Sequence, residues 1–420
     1  MKVIADLHIH SKYSRATSTD MNLEVLEYYA KLKGLNLLGT GDFTYSKWLN
    51  ELKEQLIEED FGIYIRRGSD GQVRFLVQTE VNTVFEVNGK VRRVHHVIFV
   101  PSLEVAEQVN ESLAKYGDLN VDGRPTLKMD GATLVEEVLS VDDLNIVFPA
   151  HAWTPWYSIF GSRGGVDKIE QCYGDKSKEV FALETGLSSD PPMNWRVSAL
   201  DRLTLLSNSD SHSPWPWRLG REANVFELRH LNYLELYSAI RDRDRSSFLM
   251  TIEVDPAYGK YHWSGHRACG VSMPPSESIS LKGICPVCGK KMTKGVAERV
   301  EELADRPEGF QPEKAIPFKH VLPLSEILSA ALNKPPESRE VWDVYMKLVK
   351  SFGNELHILL EAPLNALKEK LPPLAYKLLE DMRENKLNIK PGYDGVYGQL
   401  IVGEREVSLA GQFKLEDFIA

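Results

Sequence analysis

The stretch ADLHIHSKYS, residues 5–14, sets His8 and His10 one residue apart, just behind Asp6. In an extended strand alternate side chains share a face, so the two imidazoles would project to one point. Two imidazoles aimed together suit a metal ion, and two solvated histidines at a polar strand end are the plain alternative. Outward from this stretch the chain alternates apolar runs with amphipathic ones. VIADLHIH is followed by a helical pattern in NLEVLEYYAKLKG, with Gly34 as its expected C-cap. LNLLGTGDF and a second helical pattern, YSKWLNELKEQLIEED, come next. Then a strand-rich stretch turns at Asn88-Gly89, a hairpin signal. LNIVFPAHAW, EVFALETGLS and LTLLSNSDSH each follow a helix-like segment and end in polar residues. Repeated β-then-α order predicts an α/β barrel or a doubly wound sheet, whose chemistry gathers at the C-terminal strand ends.

The bulk numbers bound the rest. The chain has 420 residues, 43% hydrophobic and 26% charged, enough for two or three domains of an ordinary globular protein. No apolar run approaches the roughly 20 residues of a membrane span. The N-terminus shows no charged-then-apolar leader, so the mature chain is expected to start here, without a membrane partner. Three of the four cysteines cluster late, which predicts a metal site and a reducing cytoplasmic compartment rather than disulfides. A net charge of −10 disfavours nucleic acid unless one face is locally basic. After residue 256 the composition turns to Gly, Pro, Lys and Cys, and 301–390 reads as helices punctuated by prolines. The expected organisation is therefore a metal-dependent α/β unit over 1–255, a small module over 256–300, a mainly helical domain over 301–405 and a tail over 406–420.

The candidate ligands stand at expected strand ends: Asp6, His8, His10, Asp42 in GTGDF, Glu80 in VQTEVN, His95 or His96, His151 in AHAW, Glu184 in ALETG, and Asp210 with His212 in SNSDSH. A single histidine after a strand is usually structural, and Asp210 could be a helix cap. Recurrence at so many strand ends favours zinc, manganese or iron, and a multinuclear centre where carboxylates bridge. Two further segments stand apart. His266-x2-Cys269 and Cys285-x2-Cys288, fifteen residues apart, have the spacing of a tetrahedral structural zinc site, with His262 as the alternative to His266. Around it Lys282, Lys290, Lys291 and Lys294 form a candidate footprint on a nucleic-acid backbone. KPGYDGVYGQL, 390–400, offers Tyr393 and Tyr397 for stacking on bases, or is simply a turn before the apolar strand QLIV. Trp153, Trp156, Trp215 and Trp217 flank the ligand motifs and read as packing or as the lining of a base pocket.

Taken together, DLHIHS, Glu80, HHVIFV, AHAW and SNSDSH resemble the polymerase-and-histidinol-phosphatase (PHP) family. The resemblance implies a distorted (β/α)7 PHP barrel with two or three divalent metals, Zn2+, Mg2+ or Mn2+, that hydrolyses phosphoesters. Matched motif by motif, the ligands would be His8, His10, Asp42, Glu80, His96, His151, Asp210 and His212. His96 is preferred to His95 because HVIFV fits the family's histidine-then-apolar run. The family's second motif usually reads Asp-His and here reads Asp42-Phe43, one ligand fewer. Asp210, Glu80 and Glu184 are the carboxylates expected in the chemistry, with Glu184 orienting a ligand or the water, or else merely packed.

QFKLEDFI, 412–419, follows the Gln-x2-aliphatic-x2-aromatic pattern of sliding-clamp (PCNA) binding peptides, through Gln412, Leu415, Phe418 and Ile419. A PHP barrel, a small zinc ribbon, a helical C-terminal domain and a clamp-binding tail, in that order, resemble the endonuclease Q family of archaeal DNA-repair enzymes. That resemblance implies a nucleoid-associated, metal-dependent nuclease with DNA and the clamp as partners. It would cut 5′ to hypoxanthine, uracil, xanthine or an abasic site, leaving a 3′-hydroxyl and a 5′-phosphate. The alternatives are a small-molecule phosphomonoesterase of the histidinol-phosphatase kind and a non-catalytic DNA- or clamp-binding adaptor.

Overall fold

The computed structural model describes residues 1–403 and 405–407. Lys2–Asp6 pairs in parallel with Leu37–Gly39 and antiparallel with Ala223–Glu227. It thereby lies inside an eight-stranded mixed sheet that runs Phe318–His320, Phe248–Glu253, Ala223–Glu227, Lys2–Asp6, Leu37–Gly39, Arg74–Leu76, Ile63–Arg66, Leu56–Asp60. A four-stranded sheet places Thr126–Leu127, Gln78–Val87, Lys90–Phe99 and Ile146–Pro149 side by side. Ala182–Glu184 and Thr204–Leu206 form a parallel pair. Strands buried on both faces explain why their sequences read as near-continuous apolar runs.

Local signals account for most boundaries. Leu23–Lys33 starts where the Asn22 side chain accepts the Val25 N–H, and it stops at Gly34, whose φ is 99°. A side chain there would also collide with Asn354, so glycine is required twice over. The hairpin turns at Asn88 and Gly89, with φ of 51° and 71°. One expectation is corrected. The second helix covers only Ser46–Gln55, and LIEED becomes the strand Leu56–Asp60, because Ile57 and its neighbours pair with Ile63–Arg66 across a turn at Gly62.

Beyond residue 256, Ser264–His266 and Val271–Met273 make a two-stranded hairpin. The helix Val296–Leu303 runs across the expected boundary at 300, and Phe318–His320 joins the large sheet rather than a separate domain. Then follow five helices, Leu324–Leu332, Arg339–Phe352, Glu355–Leu360, Leu364–Lys368 and Pro373–Arg383. This helical region is pinned to the α/β part by a buried ion pair. Lys33 Nζ donates to Glu355 Oε1 at 2.8 Å and to the Pro216 carbonyl at 2.7 Å. Glu355 also accepts from the Leu324 N–H and the Tyr345 hydroxyl. The chain is thus an α/β protein with a helical C-terminal region. No helix among the described residues is long and apolar enough to cross a membrane.

Candidate metal centre and cleft

His8 and His10 follow the Lys2–Asp6 strand directly, held by the Ile9–Ser211 bridge and by the His10 N–H on the Ser211 carbonyl. Asp6 does not reach the site. It accepts from the Ser209 N–H and hydroxyl and from the Gly220 N–H, which locks the 207–212 loop beside the histidines.

The two rings are oriented alike. His8 Nδ1 donates to Glu184 Oε2 at 2.8 Å, and His10 Nδ1 donates to Asp42 Oδ1 at 2.9 Å. A carboxylate only accepts, so each contact puts a proton on Nδ1 and turns Nε2 toward the centre, where it can ligate an ion once it is deprotonated. Both Nε2 atoms then face one point. His10 Nε2 lies 3.1 Å from Asp210 Oδ1 and 3.3 Å from Glu80 Oε2, and His8 Nε2 lies 3.7 and 3.8 Å from the same two oxygens. Ligand atoms of His8, His10, Glu80 and Asp210 all fall within 4.8 Å of one another. The other oxygen of Glu80 meets a second group, 2.9 Å from His95 Nδ1 and 3.1 Å from His151 Nε2. Glu80 therefore joins two donor clusters, as a carboxylate bridging two ions would.

The electrostatics fit a cation. Burial alone would disfavour charge on His8 and His10, yet Glu184 and Asp42, with Glu80 and Asp210, hold both imidazoles well above their ordinary value. Against the pull of burial, His95 and Arg124 help to keep Glu80 well below the usual carboxylate range. Burial, followed by the charge on Arg124 beside it, takes His95 down to about 4 in spite of Glu80. His8 Nε2 is buried and meets no hydrogen-bond partner among the described residues. Anionic carboxylates that stabilise positive charge on the imidazoles, with the His8 nitrogen orphaned, mark a place that a divalent ion would satisfy by displacing those protons. Asp42, His151 and Asp210 all adopt left-handed backbone, with φ of 47°, 29° and 48°. Such clustering is characteristic of residues held in place by function.

Two ligand assignments are corrected. His96 turns away from the centre, with Nε2 on the Thr83 hydroxyl at 2.8 Å and Nδ1 on the Tyr173 hydroxyl at 2.7 Å; His95 takes the place expected of it. Asp42 stands behind His10 as its hydrogen-bond partner, also held by the Ser11 N–H and hydroxyl. His212 packs its ring on His10, centroids 4.4 Å apart, with its Nδ1 2.9 Å from the Asp210 carbonyl and 3.6 Å from Asp210 Oδ1, at the edge of the first cluster. Glu184 plays the same part behind His8 that Asp42 plays behind His10.

The sequence reading missed Arg124. Its Nη1 lies 3.2 Å from Glu80 Oε2 and its side chain lines the cleft above the centre. That cleft holds about 670 Å³ and is lined by Arg15, Arg93, Arg124, Arg218, Arg221 and Lys260. Of the four tryptophans only Trp156 lines it, beside Tyr157 and Tyr261. Trp153 is buried on Asn194, and Trp215 stacks on Trp217. Tyr397 lines the cleft too, with Lys260 Nζ 4.7 Å from its ring centre, whereas Tyr393 packs on Gly265 away from the lining. The basic face that a net charge of −10 seemed to deny is thus a set of arginines gathered from distant segments.

In the second module, ligand atoms of His266, Cys269, Cys285 and Cys288 lie within 4.8 Å of one another. Burial would raise the Cys285 thiol, but the Cys288 and Val287 N–H groups and the Cys288 and His266 side chains bring it down to about 6, ready to bind as thiolate. His262 lines the cleft instead. Lys282, Lys290 and Lys291 are exposed, and Lys294 is held by Glu298 and Glu302. The clamp motif Gln412, Leu415, Phe418 and Ile419 lies outside the described residues.

The lesion-specific endonuclease PfuEndoQ from Pyrococcus furiosus superimposes with a TM-score of 0.86 at 34% identity, over 96% of each chain. This chain belongs to the endonuclease Q family. Endonuclease Q has also been captured on a 27-mer duplex with an abasic lesion at its active site. That structure matches with a TM-score of 0.85 at 34% identity, over 96% of this chain and 97% of the other. Residues 323–386 match the MJ0043 C-terminal domain family, so the helical region of this endonuclease Q relative is a recognised unit. Among uncharacterised proteins, YqxK of Bacillus subtilis is 29% identical over 416 residues, covering 95% of this chain and 99% of its own. MJ0043 of Methanocaldococcus jannaschii is 32% identical over 255 residues; these are 60% of this chain and only 31% of that longer protein.

Proposed function

We propose that this chain is a metal-dependent DNA endonuclease that nicks duplex DNA on the 5′ side of a damaged nucleotide, an abasic site, hypoxanthine, uracil or xanthine, leaving a 3′-hydroxyl and a 5′-phosphate. The observation that carries this reading is the pair of donor clusters sharing Glu80 at the base of an arginine-lined, aromatic cleft. Membership of the endonuclease Q family supplies the substrate, since a relative holds an abasic duplex at its active site.

His8, His10, Glu80 and Asp210 would hold one ion, and Glu80, His95 and His151 another; zinc, manganese and magnesium are the candidates. Bound there, divalent ions supply acidified water as nucleophile and neutralise charge on the phosphate and the leaving oxygen. The protein's own residues do the rest. Glu184 and Asp42 fix the tautomers of His8 and His10 as positioning residues, which keeps both Nε2 atoms available. Arg124 and its cationic neighbours draw the phosphate backbone into the cleft. Trp156, Tyr157 and Tyr261 offer faces on which an unstacked nucleotide can rest, and a damaged or mispaired nucleotide leaves the stack most cheaply.

The remaining parts fit the same task. The strands that carry the centre are read as a distorted (β/α)7 barrel, and His266, Cys269, Cys285 and Cys288 as a structural zinc ribbon whose Lys282, Lys290, Lys291 and Lys294 face DNA. The tail would recruit the enzyme to the sliding clamp on the chromosome within the nucleoid. Deleting 412–420 should abolish clamp binding and leave nicking of free oligonucleotides unchanged. The test of the activity is incubation of end-labelled duplexes, carrying one abasic site or one deoxyinosine, with each divalent metal in turn. A nick 5′ to the lesion supports the reading. Release of phosphate from monoesters without nicking would favour a phosphatase, and binding without either reaction an adaptor.

A further inference from the structure

Glu184 touches both donor clusters at once. Its Oε2 accepts from His8 Nδ1 at 2.8 Å, and its Oε1 accepts from the backbone N–H of His151 at 3.2 Å. His151 has a φ of 29°, and Gly186 packs on it so closely that a side chain at 186 would lie 2.7 Å from the His151 Cβ. A small rotation of Glu184 would therefore disturb the imidazole of one cluster and the backbone of the other. Asn208 opposes that rotation. Its Nδ2 donates to Glu184 Oε2 at 3.2 Å, and both side chains are fully buried.

The Asn208 amide cannot be turned round. Its Oδ1 accepts from the Leu7 N–H at 3.0 Å and from Asn224 Nδ2 at 2.9 Å. Asn224 is fixed in turn by the Ser207 backbone, whose N–H donates to its Oδ1 and whose carbonyl accepts from its Nδ2. Backbone groups have one hydrogen-bonding sense. The string from Ser207 through Asn224 to Asn208 therefore has one polarity, and it ends with an N–H aimed at Glu184. Every side chain in it is buried, where an unmet donor or acceptor is costly. Because it also holds the Leu7 N–H, the string fixes the backbone next to His8 as well as the carboxylate behind that ring.

We propose that Asn208 is a positioning residue for the metal-dependent reaction: by aiming its amide at Glu184 it sets the His8 ring and the His151 backbone together, and so keeps the two donor clusters in register. A carboxamide suits this place because one planar group accepts from Leu7 and donates to Glu184, which a second carboxylate could not do. The proposal rests on the metal-centre part of the reading above and on nothing about the lesion.

The test is a double-mutant cycle on the full-length protein with its cysteine module zinc-loaded. It is read by Mn2+ uptake in electron paramagnetic resonance and by nicking of an abasic duplex. Asn208→Asp keeps the acceptor for Leu7 and sets an oxygen against Glu184 Oε2. Mn2+ binding should weaken about 10–100-fold, at both ions, and kcat should fall while KM for the duplex stays unchanged. Asn208→Asp/Glu184→Gln exchanges amide and carboxylate and restores the contact from the opposite side, so it should bind Mn2+ more tightly than Asn208→Asp alone. Losses that add to within about twofold would overturn the proposal, since a residue that only packs has no need of its partner's chemistry. So would wild-type Mn2+ affinity in Asn208→Asp, or a loss at one ion only. If the aspartate variant does not fold, Asn208→Ala, which adds no charge, should show the same loss of Mn2+ binding, and wild-type affinity there would overturn the proposal. Failure of the endonuclease reading is seen separately, as a wild-type protein that takes up Mn2+ and obeys the cycle but does not nick.

Discussion

Neighbours on a strand point to opposite faces, and His95 and His96 divide their work accordingly. His95 meets Glu80 and His151 in the donor cluster, and His96 ties Thr83 to Tyr173 in the core. His95→Ala should remove one metal equivalent and cut nicking about a hundredfold. His96→Ala should keep both while losing about 1–3 kcal/mol of stability in urea; the reverse pattern would move the ligand to His96. Glu253 allows a test of pH dependence. Burial, opposed by hydrogen bonds from Thr251 and Thr185, pushes its carboxyl up to about 8 from 4.5. The folded chain holds a proton there that the unfolded chain releases, so this contribution is complete below pH 4.5 and is lost as the pH rises through 8. Glu253→Gln should therefore flatten the fall in Tm between pH 6 and 9; parallel curves for variant and wild type would refute it.

At the scale of elements, metal chemistry and folding are separable. The cysteine module has its own small core of Met273, Cys285 and Met292, and its ligands come from one local stretch. Cys285→Ser should release one equivalent of zinc and loosen 262–294 to proteolysis, with the occupancy of the His8–His151 centre unchanged. Zinc content equal to wild type would discard the site. The LIEED segment shows the opposite dependence. Its composition suits a helix as well as a strand, and pairing with Ile63–Arg66 decides the matter.

Over the whole molecule, charge that looks unfavourable in sum is favourable where it counts. Six cationic side chains from well-separated segments line one cleft against three acids, Asp122, Asp210 and Glu326, of which Asp210 belongs to a donor cluster. The helical region is held to the α/β part by Lys33 and Glu355, both buried. Lys33→Met leaves a carboxylate without its cation and should cost about 3–5 kcal/mol. The double replacement Lys33→Met/Glu355→Met should recover much of that loss in denaturant titrations. Equal stabilities of the single and double variants would show that the pair does not act as a unit.

The sequence by itself determined the kinds of chemistry present. His8 and His10 share a face by strand parity alone, and the Cys-x2-Cys spacing brings its ligands together through local geometry. Turn and cap signals at Asn88-Gly89, Asn22 and Gly34 likewise need only their neighbours. Tertiary structure decided everything that depends on partners far along the chain. Glu184 lies 176 residues from His8, and Asp210 lies 200 from His10, so which carboxylates face the centre and which stand behind it is a matter of packing. Arg124 belongs to a loop with no motif of its own, and only the fold sets its guanidinium beside Glu80.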